Sequence, residues 1–483
     1  MKVCLINPPW RISEGVAPDV YQPMGLAYIA SYLRKHGHDV SIIDSIPEGW
    51  KTPGEYWGLH PDKIAEMVGK IKPDLIGMSV PFSSNSGASF ELSRMLKERF
   101  GTPIAIGGAH PSVLPKESLK DSGADYVILS EGEERMRKIA DALDEGRKPI
   151  FDGLCYNTKN GAKLIPQESY IKDPDTLPFP ARDLLPMEKY FDAARNFTAR
   201  LGQDKHLRWT TVITSRGCPF NCVFCSIHCI SGFAWRPRTP ENVIKELDQI
   251  TSQFGINHIL FEDDNMTLKI ERAKKIYAEM IRKKYDVTWT APNGLRADTL
   301  DMESLKLMKK SGCVGFSIAV ESGDQQVNNN IVRKRLNLRT VEKVVSMSKK
   351  VGLPTTAFFI IGFPGEKIEN MKTTIRFARK LIRRGLGEAT FYIATPLPGT
   401  DMRKIAEEND YLVADDFNTL NPYNPLIKTQ DFTPSDVAKM KIRATRDVKM
   451  EMFLADPLGF TRRYGKPRIV KGYLRRLVHL LSK

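Results

Sequence analysis

The sequence predicts an α/β protein built from two parallel sheets and a helical extension. Short apolar strands alternate with amphipathic helices over residues 1–145 and again over residues 206–410. The first run predicts a doubly wound, Rossmann-like parallel sheet, and the second predicts a partial (β/α)6 barrel of the TIM type. A basic, mostly helical C-terminal extension is expected at residues 411–483.

The first domain, residues 1–145, contains five apolar segments with the length of strands. Helix-like segments with apolar residues at helical spacing lie between most of them, and the first of these stops at Gly37. The predicted strands are residues 2–7, 40–44, 75–80, 103–108 and 126–130, and the predicted helices are residues 25–37, 63–71, 90–100 and 133–143.

Residues 146–205 interrupt this alternation. The stretch 173–186 is rich in proline, and hydrophobic periodicity is weak throughout. The sequence therefore predicts a linker that packs on its neighbours.

The second domain, residues 206–410, resumes the alternation with six strand-like segments. These are residues 210–218, 258–264, 288–294, 315–323, 354–366 and 388–400, with helix-like segments at 270–284, 302–312 and 370–385. A parallel barrel places its active site at the carboxyl ends of the strands, so residues that follow each strand are the functional candidates.

Length and composition exclude several classes of protein. With 483 residues, 41% hydrophobic and 27% charged, the chain is neither collagen-like, disordered nor a small disulfide scaffold. No stretch approaches 18 uncharged apolar residues, and the start resembles a strand rather than a signal peptide. The seven cysteines, an odd number, favour a reducing compartment, so we expect a cytoplasmic protein.

The net charge of +15 is concentrated near the C-terminus. No acidic residue follows Asp456, and +8 comes from Arg462, Arg463, Lys466, Arg468, Lys471, Arg475, Arg476 and Lys483. Residues 469–483 have the pattern of a basic amphipathic helix, which predicts either a peripheral contact with the inner membrane surface or a helix packed on the barrel. A second basic stretch, 372–384, is interpreted as the solvated face of a barrel helix. No nucleic-acid motif accompanies these charges, so no nucleic-acid partner is expected.

A tight group of cysteines follows the first predicted barrel strand. Cys218, Cys222 and Cys225 form a CxxxCxxC motif, with Cys229 just beyond it. Thiolates are soft ligands for iron–sulfur clusters or zinc. A zinc site completed by Cys229 or His228 is the alternative, although zinc motifs usually pair two CxxC units across a longer spacer. Cys229 itself is interpreted as a small buried apolar residue.

CxxxCxxC after the first strand of a barrel resembles the radical S-adenosylmethionine (radical SAM) enzymes. Phe224, the aromatic residue before the third cysteine, matches the common form of their motif. The resemblance implies that Cys218, Cys222 and Cys225 hold a 4Fe-4S cluster, whose open iron binds the amine and carboxylate of SAM. Reductive cleavage of SAM would then yield a 5′-deoxyadenosyl radical that removes hydrogen from an unactivated carbon. An electron donor such as flavodoxin or ferredoxin is implied.

Later strand ends also resemble the SAM-binding segments of this family. The acids after the second strand would meet the SAM amine, with a solvated acidic turn as the alternative. Polar residues after the third and fourth strands would reach the ribose and carboxylate, and the glycine-rich segment after the fifth would lie near the adenine. The implied SAM-binding residues are Glu262, Asp263, Asp264, Asn293, Arg296, Ser317, Glu321, Gly362, Pro364, Gly365 and Thr395.

The strand ends of the first domain carry small and polar residues that suit a large flat ligand. Residues alone leave an ordinary flavodoxin-like sheet equally open, because glycines close many strand–helix turns. The order of segments resembles the cobalamin-binding domain that precedes many radical SAM barrels. The implied cobalamin contacts are Pro8, Ser79, Ser83, Gly107, Gly108, His110, Glu131 and Gly132. The DxHxxG motif is absent, and His36 and His38 have the wrong spacing, so we expect cobalt without a histidine ligand from that motif.

The resemblance implies a C-methyltransferase acting on a lipid, an isoprenoid or another small molecule. Cobalamin would deliver the methyl group, and a second SAM would restore it. Radical ring formation or rearrangement without methyl transfer is the alternative, and product mass separates the two. A methylthiotransferase is disfavoured, because only Cys4 and Cys155 lie upstream of the motif. A non-catalytic electron-transfer module would need a fourth cluster ligand, for which Cys229 is the candidate. The sequence indicates no catalytic side chain.

Overall fold

The computed structural model describes residues 1–11, 20–52, 56–197 and 207–464. Its first sheet has seven strands, of which five are parallel. From one edge to the other the strands are Gly161–Ile165, Leu154–Thr158, Tyr126–Ile128, Ile104–Gly107, Leu75–Ser79, Lys2–Asn7 and Asp39–Asp44. The strand order reverses beside Lys2–Asn7, which is the topological switch point of a doubly wound sheet.

Helices cover both faces of this sheet, as predicted. Leu33 and Met136 pack against one face and Val68 and Leu96 against the other, in two separate hydrophobic cores. The helices are Met24–Lys35, Pro61–Ile71, Ser86–Phe100, Ala109–Val113, Pro115–Ser122 and Glu133–Asp144. A small antiparallel sheet of Trp10–Arg11, Tyr56–Trp57 and Trp50–Thr52 lies beyond the carboxyl edge.

Two strands of the first sheet come from the stretch for which the sequence predicts only a linker. Leu154–Thr158 and Gly161–Ile165 form an antiparallel hairpin that pairs with Tyr126–Ile128. The outer strand, Gly161–Ile165, is mostly exposed and does not alternate between buried and exposed positions, so the sequence carries little hydrophobic periodicity there. Further along, helix Met187–Phe197 leads toward the barrel.

The second sheet is a six-stranded, all-parallel partial barrel in simple sequential order. Its strands are Trp209–Val212, His258–Phe261, Thr288–Leu295, Cys313–Glu321, Thr355–Ile361 and Glu388–Ile393. Its helices are Ile227–Ser231, Pro240–Phe254, Ile270–Lys283, Met302–Lys310, Leu338–Val351, Ile368–Arg384 and Asp401–Glu408. The (β/α)6 prediction is therefore confirmed.

The C-terminal extension packs against the last barrel strand, Glu388–Ile393, and the helix Ile368–Arg384. Helix Pro434–Ala455 buries Val437, Ala444 and Val448, and Pro457–Tyr464 follows it. The basic stretch 372–384 lies on helix Ile368–Arg384, where Glu342, Glu369 and Glu451 pair with its cations. Residues 469–483, the predicted amphipathic tail, fall outside the described residues. No helix of the described residues is long and apolar enough to cross a membrane.

Candidate active site

A sharp turn carries the chain from the first barrel strand into the loop that contains Cys218, Cys222 and Cys225, here called the cluster loop. Gly217 adopts a left-handed φ of 81°, and a Cβ there would overlap the Ala234 carbonyl oxygen. Its backbone N–H donates to Asp264 Oδ2 at 2.7 Å. Only glycine fits this turn, which places Cys218 beside the end of the second strand.

The three motif thiols lie close enough to repel one another when ionised. Burial raises the pKa of Cys222, and burial together with Cys222 and Cys218 raises the pKa of Cys225 to about 12. Lys334 and Arg296 oppose the shift at Cys222. A cationic iron centre would favour the thiolate forms of the half-buried Cys222 and Cys225 and so oppose these shifts.

Cys229 does not join this group. It is half-buried on helix Ile227–Ser231, and its thiol donates to the Gly399 carbonyl oxygen at 3.4 Å. Within the described ranges, no three His, Cys, Asp or Glu side chains are arranged around a single metal ion. The Cys229 thiol is therefore engaged with the turn at Gly399, and Cys229 is more exposed than the sequence predicted.

A cavity of about 430 Å³ lies between the two domains. It opens at the switch point of the first sheet and reaches the barrel residues Arg216, Glu262 and Asp264. The predicted cofactor contacts that line it are Ser79, Gly107, Gly108, Glu131, Gly132, Glu262 and Asp264. Gly108 has a φ of 119°, and a Cβ there would stand 2.7 Å from the Val80 carbonyl oxygen. The glycine backbone thus forms a wall that suits a flat ligand.

Three predicted cobalamin contacts are not among the residues that line this cavity: Pro8, Ser83 and His110. His110 is buried between the rings of Phe90 and Phe417, with Nδ1 3.0 Å from Ser83 Oγ. Burial lowers the pKa of His110 to about 4, so it is a neutral packing residue. The described residues that line the cavity include no histidine.

Buried ion pairs join the cluster loop to the first domain. Arg216 donates to Glu131 Oε1 at 3.0 Å and to Glu133 Oε1 at 2.6 Å, and Arg236 donates to both oxygens of Glu131 at 2.9 Å. The Arg216 guanidinium also lies 5.1 Å from the ring centroid of Tyr28. Glu131, predicted to contact cobalamin, is therefore already engaged in holding the domains together while it lines the cavity.

The acids after the second strand lie in two different environments. Asp263 is buried and accepts from Thr214 N, Thr214 Oγ1 and Ser215 Oγ, so it anchors the start of the cluster loop. Burial raises the pKa of Asp264 to about 6. Of the three acids predicted to bind the SAM amine, Glu262 and Asp264 face the cavity, whereas Asp263 Oδ1 is occupied by the loop.

Two of the four contacts predicted at the third and fourth strands, Arg296 and Glu321, lie near Cys222. Arg296 stacks over Phe220 at 3.7 Å from the ring centroid. Glu321 accepts from Lys334 Nζ at 2.9 Å, and both side chains are buried. Two other predicted residues differ: Asn293 is exposed, and Ser317 shares a hydrogen bond with Thr356.

The glycine-rich turn after the fifth strand is organised by a residue that sequence reasoning missed. Glu366 Oε2 accepts from Gly362 N at 2.7 Å and from Phe363 N at 3.2 Å. The ring centroids of Phe363 and Phe224 lie 6.0 Å apart, so this turn packs against the cluster loop.

The other SAM contacts predicted after the fifth and sixth strands have separate surroundings. Pro364 lines a pocket of about 150 Å³ behind the cluster loop, and Gly365 is exposed. Thr395 Oγ1 donates to the carbonyl oxygens of Ile393 and Asn421, both at 3.1 Å.

Sequence reasoning also missed Arg216, Lys334 and Asn265. Arg216 lies two residues before Cys218, and this position beside the motif could have identified it as a functional candidate. Asn265 Nδ2 lies 3.9 Å from Cys218 Sγ at the end of the same strand as the predicted acids. Lys334 had no local signal, because its role depends on the distant Glu321.

The sequences of both domains match known protein families. A sequence model of the Radical SAM superfamily matches residues 212–378, and one of the B12 binding domain matches residues 13–140. An uncharacterized methyltransferase of Pyrococcus horikoshii is 32% identical over 449 residues, covering 92% of this chain and 91% of the relative. The chain belongs to the radical SAM enzymes with a B12 binding domain. A 4Fe-4S cluster, SAM and cobalamin are thus its cofactors.

Other relatives of this radical SAM enzyme have named activities. Cytidylyl-2-hydroxyethylphosphonate methyltransferase of Streptomyces wedmorensis is 29% identical, covering 83% of this chain and 80% of the relative. An anaerobic magnesium-protoporphyrin IX monomethyl ester cyclase of Rubrivivax gelatinosus is 24% identical, with 89% and 74% covered.

Solved structures confirm the order and fold of the two domains. The cobalamin-dependent SAM radical enzyme OxsB superposes with a TM-score of 0.73 at 18% identity, covering 100% of this chain and 75% of that one. The radical SAM methyltransferase TsrM from Kitasatospora setae gives 0.68 at 19% identity, with 91% and 82% covered.

Proposed function

We propose that this radical SAM enzyme is a C-methyltransferase acting on an unactivated carbon of a lipid, an isoprenoid or another small molecule. The observation that carries the proposal is the cavity between the domains, which joins the switch point of the first sheet to Glu262 and Asp264. A ligand held on the first domain would therefore face the cluster loop. The relatives named as methyltransferases support the same reaction.

Within this proposal, Cys218, Cys222 and Cys225 are the cluster ligands. When bound, the cluster supplies the electron that cleaves SAM, and cobalamin supplies the methyl group. Asn265 would donate a weak hydrogen bond to Cys218, and Glu262 and Asp264 would meet the SAM amine. Arg216 holds the cluster loop against the first domain through its ion pairs with Glu131 and Glu133.

The surroundings of the cavity would also exclude water from the reacting centre. Leu5, Met78, Ile128 and Met136 are buried and form much of its wall. A radical that removes hydrogen from carbon needs such a dry environment, because it must be kept from side reactions.

The first experiment measures SAM cleavage by the purified full chain after anaerobic reconstitution of the cluster. We expect 5′-deoxyadenosine from the wild type and from Cys229→Ala, and none from Cys222→Ala. Cys229→Ala is the matched control because its thiol lies outside the three-cysteine group. An intact cluster that forms no deoxyadenosine would contradict a radical SAM reaction.

A second experiment distinguishes methyl transfer from ring formation. Lipid and metabolite extracts of a deletion strain are compared after complementation with the wild type or with Cys222→Ala, in medium containing methyl-deuterated methionine. A product that gains one labelled methyl group only with the wild type supports the proposal. A product that loses hydrogen and gains no label supports the ring-forming alternative.

Two partners belong to the proposal. An electron donor such as flavodoxin or ferredoxin would reduce the cluster. The basic tail of residues 457–483 would hold the enzyme at an anionic membrane surface, and vesicle co-sedimentation of the full chain and of a chain ending at residue 456 tests this contact. Equal binding to neutral and anionic vesicles would contradict it.

A further inference from the structure

Aromatic residues line part of the inner face of the barrel near its open edge. On strands Thr355–Ile361 and Glu388–Ile393, alternate residues pack in the core beneath the helices, while Phe358 and Tyr392 point to the opposite, half-exposed face. The rings of Phe358 and Tyr392 lie 5.8 Å apart. Tyr423, from the segment beyond the last strand, extends the row 6.3 Å from Tyr392 and is 50% exposed. These three rings are called the aromatic strip.

A lysine from the C-terminal extension completes the end of the aromatic strip. Lys441 Nζ lies 4.0 Å from the ring centroid of Tyr423, on helix Pro434–Ala455. The side chain is half-buried, and burial alone lowers the pKa of its ammonium group. No carboxylate among the described residues forms an ion pair with it.

The isolation of Lys441 contrasts with the cations of the neighbouring helix. Glu451 pairs with Arg379 and Arg383, and Glu342 pairs with Lys380 and Arg384. A half-buried ammonium without a carboxylate is energetically unfavourable, and an anionic ligand would relieve that cost. The contact with Tyr423 only partly compensates, because a cation–π contact is weaker than an ion pair with a hydrogen bond.

We propose that the aromatic strip and Lys441 form a substrate subsite for an amphiphile with an apolar body and an anionic group. The body lies against the rings, and a carboxylate or phosphate group binds Lys441. This inference rests on the proposed function, since the ligand of the subsite is the molecule to be methylated. It narrows the small-molecule class to anionic amphiphiles.

Equilibrium dialysis with three naphthalene probes tests the subsite without any catalytic turnover. The probes are 2-naphthyl phosphate, 2-naphthoate and the neutral 2-naphthol, and the protein is the full chain with its cluster and cobalamin loaded. The variants are Lys441→Gln and the matched control Lys439→Gln, which changes an exposed lysine on the same helix. Thermal unfolding of each variant verifies that the fold is retained.

We expect Lys441→Gln to weaken binding of at least one anionic probe by about ten-fold, the effect of removing a charge-assisted hydrogen bond. Naphthol binding and the Lys439→Gln variant should remain unchanged. The probe that loses more affinity identifies phosphate or carboxylate as the preferred anion. Tyr423→Leu should weaken all three probes, because they share the ring contact.

Equal affinities of the wild type and Lys441→Gln for both anions would overturn the subsite, as would an equal loss for naphthol. This failure is distinct from failure of the proposed function, which would appear as the absence of a methylated product. Probe binding therefore remains informative whichever reaction the enzyme performs.

Discussion

Replacing Arg216 by methionine tests whether the buried ion pairs hold the cluster loop against the first domain. The Arg216 side chain is 14% exposed, and Glu131 and Glu133 are each 4% exposed. After the substitution Glu131 keeps Arg236, but Glu133 loses its ion-pair partner within the described residues. Glu133 would then be a buried carboxylate without a cation.

The expected loss of stability is about 3–5 kcal/mol, the usual cost of removing one partner of a buried ion pair. Glu133 stands in the first turn of helix Glu133–Asp144, whose dipole recovers about 0.3–1 kcal/mol. The lower half of the range is therefore expected. The double variant Arg216→Met with Glu133→Gln removes the orphaned charge and should recover about 1–3 kcal/mol of the loss.

Urea unfolding of the loaded full chain, followed by tryptophan fluorescence, measures these differences, and gel filtration measures retained cobalamin. Arg34→Met is the control, because Arg34 pairs with Asp183 at an exposed site where a loss below about 1 kcal/mol is expected. Equal losses for Arg216→Met and Arg34→Met would refute the reasoning. So would a double variant no more stable than the single one.

Three further predictions concern single residues. Gly217→Ala should lower the iron content after reconstitution, because the left-handed φ costs about 1–2 kcal/mol and the Cβ meets the Ala234 carbonyl; iron bound at the wild-type ratio would contradict this. Burial raises the pKa of Glu366 to about 8, so the wild type should lose stability as the pH rises toward 8, and Glu366→Gln should lose less over the same range. Parallel curves of Tm against pH from 5 to 9 would contradict this. His110→Gln should leave the electron paramagnetic resonance spectrum of bound, reduced cobalamin unchanged, since His110 packs outside the cavity; a change in nitrogen coupling would show that it binds cobalt.

Much of the architecture was predictable because its signals are local. Alternating strands and helices predicted both sheets, and the spacing of Cys218, Cys222 and Cys225 located the cluster loop. The position of Ser79, Gly107 and Gly108 at the cavity was predictable in the same way, since residues that follow parallel strands meet at one edge. The hairpin of Leu154–Thr158 and Gly161–Ile165 was not predicted, because its mostly exposed outer strand shows little hydrophobic periodicity.

Other features were decided by tertiary structure alone. Glu131 and His110 resemble ligand contacts in the sequence. In the structure Glu131 forms an ion pair with Arg236, and His110 packs against the ring of Phe417. Arg236 and Phe417 each lie more than 100 positions along the chain from the residue that they contact, so no local pattern indicates the contact.

By itself, then, the sequence determined the fold class, the cluster motif and the order of the two domains, because periodicity and motif spacing depend on residues close together in the chain. Only the tertiary structure decided which charges are already paired and which, like Lys441, lack an ion-pair partner among the described residues. The physical reason is that charge pairing and burial depend on how distant segments pack, which no local pattern records.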